Sequence, residues 1–217
     1  MYKALIIDCE TTGNDPLEVI ELAAVARDGI RDPWTVAVNE RFKPEHPITF
    51  GAMVVHNIVP EDLTECRPSS EAKLPECKYI IGHNVDYDWQ AVGSPAVKRI
   101  CTLALSRHLW PASDCHKLAA VAYMLWGRDV QDLVSRCHSA FDDVRLTIRV
   151  LDEILTVTQC ESWECLWIIS ETARVPKIMP FGKHKGTPIE DVPRDYKAWL
   201  MQQSDVDPYL MQALRGN

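Results

Sequence analysis

Hydrophobic positions in this chain begin as a short unbroken run, Ala4-Leu5-Ile6-Ile7, which gives way to Asp8-Cys9-Glu10-Thr11-Thr12-Gly13. That is the pattern of an apolar strand ending in polar residues. With period 2, Asp8 and Glu10 leave the strand on one face and Cys9 on the other. A turn cluster, Gly13-Asn14-Asp15-Pro16, precedes a long apolar-rich run from Leu17 to Arg27. Asp28-Gly29 predicts a hairpin turn and Trp34 to Phe42 is strand-like, so the chain is expected to open with three antiparallel strands. Pro44, Pro47, Pro60 and Pro68 punctuate the next stretch, leaving short helical pieces near Phe50 to Val55 and Pro60 to Glu65.

Further on, Lys78-Tyr79-Ile80-Ile81 reads as a strand running into Gly82-His83-Asn84-Val85-Asp86-Tyr87-Asp88-Trp89, and Ile100-Cys101 as a briefer one. Thr102 to Leu109 predicts a helix stopped before Pro111. A second, capped at Ser113 or Asp114, runs through Leu118, Val121, Ala122, Leu125 and Trp126 to Gly127. Cys137-His138-Ser139-Ala140-Phe141-Asp142-Asp143 then enters a helix reaching about Val157. At 3.6 residues per turn, Asp143 heads the stripe Thr147, Val150, Leu151, Ile154, whereas Asp142 heads Leu146, Arg149, Glu153. Asp143 is therefore expected to face inward, where an unsatisfied carboxylate costs on the order of several kcal/mol.

Composition narrows the classes. The 217 residues suit one substantial domain with a small appendage, and 47% hydrophobic with 25% charged residues is ordinary for a globular protein. No apolar stretch approaches a membrane span, and Met1-Tyr2-Lys3 leads straight into the first strand, so the expected location is cytoplasmic, with no membrane partner. The eight cysteines lack metal-site spacing and read as free thiols rather than a disulfide framework. A net charge of −8 argues against a broad basic nucleic-acid surface, but not against a nuclease whose acids are neutralised by metal.

Two carboxylates at one strand end, Asp8 and Glu10, repel unless a cation sits between them, and oxygen-only donors suit Mg²⁺ or Mn²⁺. Alone, that pair reads first as a solvated acidic strand end. Acidic clusters at the ends of two more apolar elements, with a histidine five residues before the last aspartate, go beyond one accidental motif.

The three stretches Ile7-Asp8-Cys9-Glu10-Thr11-Thr12-Gly13, His83-Asn84-Val85-Asp86-Tyr87-Asp88 and His138-Ser139-Ala140-Phe141-Asp142-Asp143 resemble, in order, the motifs of the DnaQ-like, DEDDh-type 3′ to 5′ exonucleases. Over about residues 1–157 the resemblance implies an α/β, ribonuclease-H-like fold, a mixed five-stranded sheet flanked by helices. It implies Asp8, Glu10, Asp88 and Asp143 as ligands to two Mg²⁺ ions, for which Mn²⁺ can substitute, and His138 as general base. In this register Asp88 is the ligand and Asp86 incidental; Val85 stands where the family often has alanine. The resemblance further implies that the backbone at Thr11 and Thr12 meets the terminal nucleotide, with Val55, His56 and Tyr87 lining base and sugar. Val55 and Tyr87 read equally well as core.

The implied partner is a DNA 3′ end, single-stranded or duplex, processed to nucleoside 5′-monophosphates; protein partners are not legible. An exoribonuclease on the same fold, a catalytically silent nucleic-acid-binding module and a proofreading subunit are the alternatives. After a helix near Ser162 to Ile169 and a linker within residues 158–180, residues 181–217 form a small C-terminal module. Its Phe181-Gly182-Lys183-His184-Lys185-Gly186 reads either as a phosphate clamp or as a glycine-bounded hairpin whose lysines face water.

Overall fold

The structure, a computed structural model, describes residues 1–216. The apolar run at the start becomes β1 (Tyr2–Thr11), where Ala4 to Ile7 are wholly buried. Burial on both faces explains why no polar residue interrupts it. β1 lies inside a mixed sheet with β2 (Val19–Arg27), β3 (Thr35–Lys43), β4 (Arg67–Pro68), β5 (Cys77–Gly82) and β6 (Lys98–Cys101), in the order β4-β3-β2-β1-β5-β6. β1, β2 and β3 are antiparallel; β1, β5 and β6 run parallel, as does the short β3–β4 pair. The sheet thus has six strands rather than the expected five. Two residues of the proline-punctuated stretch, Arg67 and Pro68, add to β3 at the edge, where a proline is tolerated because one side of the strand needs no donor.

Helices α1 (Phe50–His56), α2 (Val85–Ala91), α3 (Thr102–Leu109), α4 (Leu118–Trp126), α5 (Gln131–Val134) and α6 (Ala140–Thr158) accompany the sheet. α6 packs on β1 and β2, with Asp143, Thr147, Val150, Leu151 and Ile154 all buried as the stripe requires. Leu146, which the same periodicity put on an outward stripe, is also fully buried, in a cluster with Ala122 and Val130. α4 and the turn after it cover that second side of α6. The β2–β3 connection spans residues 28–34, wider than a tight turn at Asp28-Gly29, and α4 starts at Leu118, after the expected cap.

The chain divides into two compact units, Met1–Ser170 and one beginning at Glu171, so this division falls inside α7 (Trp163–Arg174). The reason lies in the second core. Met179, expected in a linker, is buried with Ile189, Val192, Leu200, Leu210 and Leu214, the last three from α8 (Arg194–Leu200) and α9 (Pro208–Arg215). Within this unit Tyr209 donates its hydroxyl to Glu171 at 3.0 Å and accepts from Arg174 at 3.0 Å. Among the described residues no helix is long and apolar enough to cross a membrane, and all eight cysteines are free.

Candidate active site

Three elements deliver the acidic side chains. β1 presents Asp8 and Glu10 on one face while Cys9 is buried on the other with Val19, Leu22 and Phe42. α2 carries Asp88, buried, whose Oδ1 accepts the Cys9 N–H at 2.9 Å and so ties α2 to β1. Asp86, on the same helix, pairs instead with Arg99. The first turn of α6 supplies Asp143, whose Oδ2 accepts the His138 N–H at 3.0 Å. Its Oδ1 is buried without a hydrogen-bond partner.

One carboxylate oxygen from each of Asp8, Glu10 and Asp143 lies within 4.8 Å of the other two. Asp88 stands outside that triad but close enough to be the leading charge acting on Asp8. Burial is the largest influence on all four acids and drives them toward the neutral form. Asp8 is raised well above the usual carboxylate range, first by burial and then by the charges of Asp88, Asp143 and Glu10. Glu10 is pushed up to about 8 by burial, Asp143 and Glu21. Asp88 is raised to about 7 by burial, with the Cys9 N–H pulling the other way. Buried like charges with an orphaned oxygen among them make a donor set that fits a hard divalent cation, since a cation removes both the repulsion and the unsatisfied lone pair.

His138 sits just ahead of α6 in a left-handed backbone conformation, φ +73°, with an exposed side chain. The hydrogen bond from its backbone to Asp143 fixes the position of that turn relative to the acids. Thr11 is buried and shares a 2.5 Å hydrogen bond with the Tyr87 hydroxyl, joining β1 to α2 a second time. Thr12 lies in the loop that follows β1. Its N–H donates to Glu18, its carbonyl accepts from Thr49, and its hydroxyl bonds Pro16, so its backbone is spent on folding the loop after β1. His56 is buried at the end of α1, accepting the Ile58 N–H at Nδ1. Val55 is exposed, so it is not core.

Sequence reasoning missed Glu21. This buried residue of β2 faces Glu10 across the strands, accepts from Arg41 at 2.8 Å, and accepts the Ala140 N–H at the start of α6 at 2.8 Å. A lone acid in Val19-Ile20-Glu21-Leu22-Ala23-Ala24, otherwise apolar, was the available signal. His83 of the second motif is a structural tie: Nε2 contacts the His116 carbonyl at 2.7 Å and Nδ1 the Thr102 hydroxyl at 3.0 Å, while burial lowers its pKa to about 4.

Residues 5–151 match the RNase_T family model, described as Exonuclease. The chain belongs to this exonuclease family. Exonucleases of the family depend on divalent metal, and the acidic cluster lies in the matched region. This exonuclease-family chain is 28% identical to Exodeoxyribonuclease 10 of Escherichia coli strain K12 over 221 residues, covering 97% of this chain and 96% of that protein. Its fold is similar to that of Exonuclease X in complex with 5′ overhanging duplex DNA, with a TM-score of 0.62, 22% identity, and coverage of 77% of this chain and 99% of that one. E. coli Exonuclease I in complex with a dA16 oligonucleotide aligns with a TM-score of 0.51 and 18% identity, over 82% of this chain and 44% of that one. Residues 171–208 match a second family model, described as a putative quorum-sensing-regulated virulence factor.

Proposed function

We propose that this exonuclease works on DNA, removing nucleoside 5′-monophosphates from 3′ ends with the help of two Mg²⁺ ions, for which Mn²⁺ can substitute. The observation that carries the reading is the meeting of Asp8, Glu10 and Asp143 oxygens within 4.8 Å around a buried, unpartnered Asp143 Oδ1. Likeness to Exodeoxyribonuclease 10 along nearly the whole chain supports DNA as the polymer.

In this reading Asp8, Glu10, Asp88 and Asp143 hold the ions. A divalent metal held there would supply the positive charge that lowers the pKa of water and offsets the charge of the leaving oxygen. His138 accepts the proton of the attacking water, a role suited to an imidazole at neutral pH. Its exposed side chain next to the acids leaves the proton a direct route to solvent. The Thr11–Tyr87 hydrogen bond holds the floor on which the terminal nucleotide lies, and Val55 and His56 border its base and sugar. Thr12 then acts through the loop it folds.

The test uses DNA and RNA strands of one sequence, labelled at the 3′ or the 5′ end, with Mg²⁺ or a chelator. Immediate release of a 3′ label as mononucleotide from DNA, abolished by chelator, is expected. Attack from the 5′ end, or faster attack on RNA, would replace this reading.

A further inference from the structure

The second unit has a core of six side chains, yet Phe181 is 46% and Trp199 52% exposed. Trp199 belongs to a connected row of rings. Tyr196 and Trp199, three residues apart on α8, share a helix face with ring centroids 5.4 Å apart, and His184 meets Tyr196 edge-on at 4.6 Å. His184 sits on a turn between Met179 and Thr187 that is closed by its own backbone. Lys185 donates to Gly182, Thr187 to His184, Gly186 to Met179, and Met179 to Thr187.

Glycine is required where the ring row meets this turn. Gly182 has φ +73°, and a Cβ there would fall 2.7 Å from the Tyr196 hydroxyl. Lys183 and Lys185, both exposed, therefore flank His184 on a turn of defined shape rather than on a loose tip. Charge sets this unit apart: residues 1–170 carry 16 Lys and Arg against 25 Asp and Glu, whereas residues 171–217 carry 7 against 6. A surface that offers aromatic rings beside exposed lysines on a hydrogen-bonded turn matches unstacked bases joined by phosphates, because any base can stack on an aromatic ring. A free phosphate would use the lysines alone.

We propose that His184, Tyr196 and Trp199, with Phe181, Lys183 and Lys185 on the adjoining turn, form a stacking platform for single-stranded DNA. The choice of DNA rests on the exonuclease reading above; the platform is a separate site in the second unit.

Full-length protein in EDTA, where the strand is bound but not cut, is titrated against fluorescein-labelled oligothymidylate. Trp199→Ala is expected to weaken binding by roughly 5- to 100-fold, while Trp199→Phe, which keeps a ring, stays near wild type. Lys183→Ala with Lys185→Ala weakens binding and flattens the log-affinity against log-salt slope by about 1.4. A blunt duplex, with no unstacked base, responds to the lysine change but not to Trp199→Ala. Hydrolysis of the nitrophenyl ester of thymidine 5′-monophosphate reports the carboxylate site alone and stays at the wild-type rate in every variant.

Oligothymidylate affinities equal to wild type in both the Trp199→Ala and the lysine variants would overturn the platform, as would no binding by the wild type. So would a lysine effect with Trp199→Ala at wild-type affinity, which is a phosphate clamp without stacking. Failure of the wild type to hydrolyse the ester would instead strike the exonuclease reading.

Discussion

Glu21 Oε2 accepts the N–H of Ala140 at 2.8 Å, so the residue opposite Glu10 in the sheet holds the start of the helix that carries Asp143. Two of the acidic elements are registered by a third acid that is not among the proposed ligands. Removing it has opposing effects: a buried N–H loses its acceptor, and Glu10 loses a repulsive neighbour. Once metal has neutralised the site the second effect fades. Glu21→Ala should therefore destabilise the metal-loaded protein by about 1–3 kcal/mol and slow turnover. Glu21→Gln, which retains an acceptor oxygen, recovers most of both. Equal urea midpoints and equal rates for the two variants would discard this role.

Asp88 and Asp86 lie two residues apart and should behave oppositely. Asp88→Asn keeps an oxygen for the Cys9 N–H, so folding survives while the charge is lost. Turnover is expected to fall by about a hundredfold or more, with a raised metal requirement. Asp86→Asn weakens a partly exposed pair with Arg99 and should leave turnover within a few tenths of a kcal/mol in activation energy, about twofold. Steady-state rates against metal concentration check the pair; the reverse ranking would reassign the ligand.

His138→Asn is the informative change at the proposed base, because asparagine tolerates the left-handed backbone that alanine would strain. The backbone bond to Asp143 persists, so metal binding should be retained while turnover drops roughly 10²- to 10⁴-fold. Calorimetric metal titration beside single-turnover rates separates the two. A variant that turns over at the wild-type rate ends the assignment.

Stability of the metal-free protein should fall as pH rises from 6.5 to 8. The folded chain holds protons on Glu10, near 8, and Asp88, near 7, that the unfolded chain has already released near 4, so unfolding gives up protons. Stability from such raised groups is fully present below the unfolded value and is lost through the folded one. His83, lowered to about 4, and His56, also lowered, act in the opposite sense, but their contribution is complete above about 6.5. Mg²⁺ should accordingly raise the melting temperature more at pH 8 than at pH 6.5. A flat melting temperature in EDTA across that range would show that the acids are not coupled as described.

Much of this was legible from periodicity. Asp143 faces inward as its stripe requires, and the Asp8–Cys9–Glu10 alternation falls as a strand demands. The features that stayed hidden depended on neighbours distant in sequence. Leu146 is buried because α4 covers a flank of α6 that the helical period alone assigns to solvent. Glu21 is tolerated in a buried strand only because Arg41 and Ala140 reach it. Met179 falls in the stretch 158–180 that reads as helix and linker, yet it is buried with Ile189, Val192 and the leucines of α8 and α9. Thr12 matched a motif, but its hydrogen bonds go to Glu18, Pro16 and Thr49, partners that spacing does not reveal.

The bonds that gather the acids span long stretches of chain: Cys9 to Asp88 closes 79 residues, and Glu21 to Ala140 closes 119. Loops of that size form late, after nearer contacts have been made, since their closure entropy is met only when the pieces they join already have shape. A nascent or half-folded chain therefore lacks the assembled cluster of acids. Any chemistry that needs these acids together therefore waits until both closures have been made.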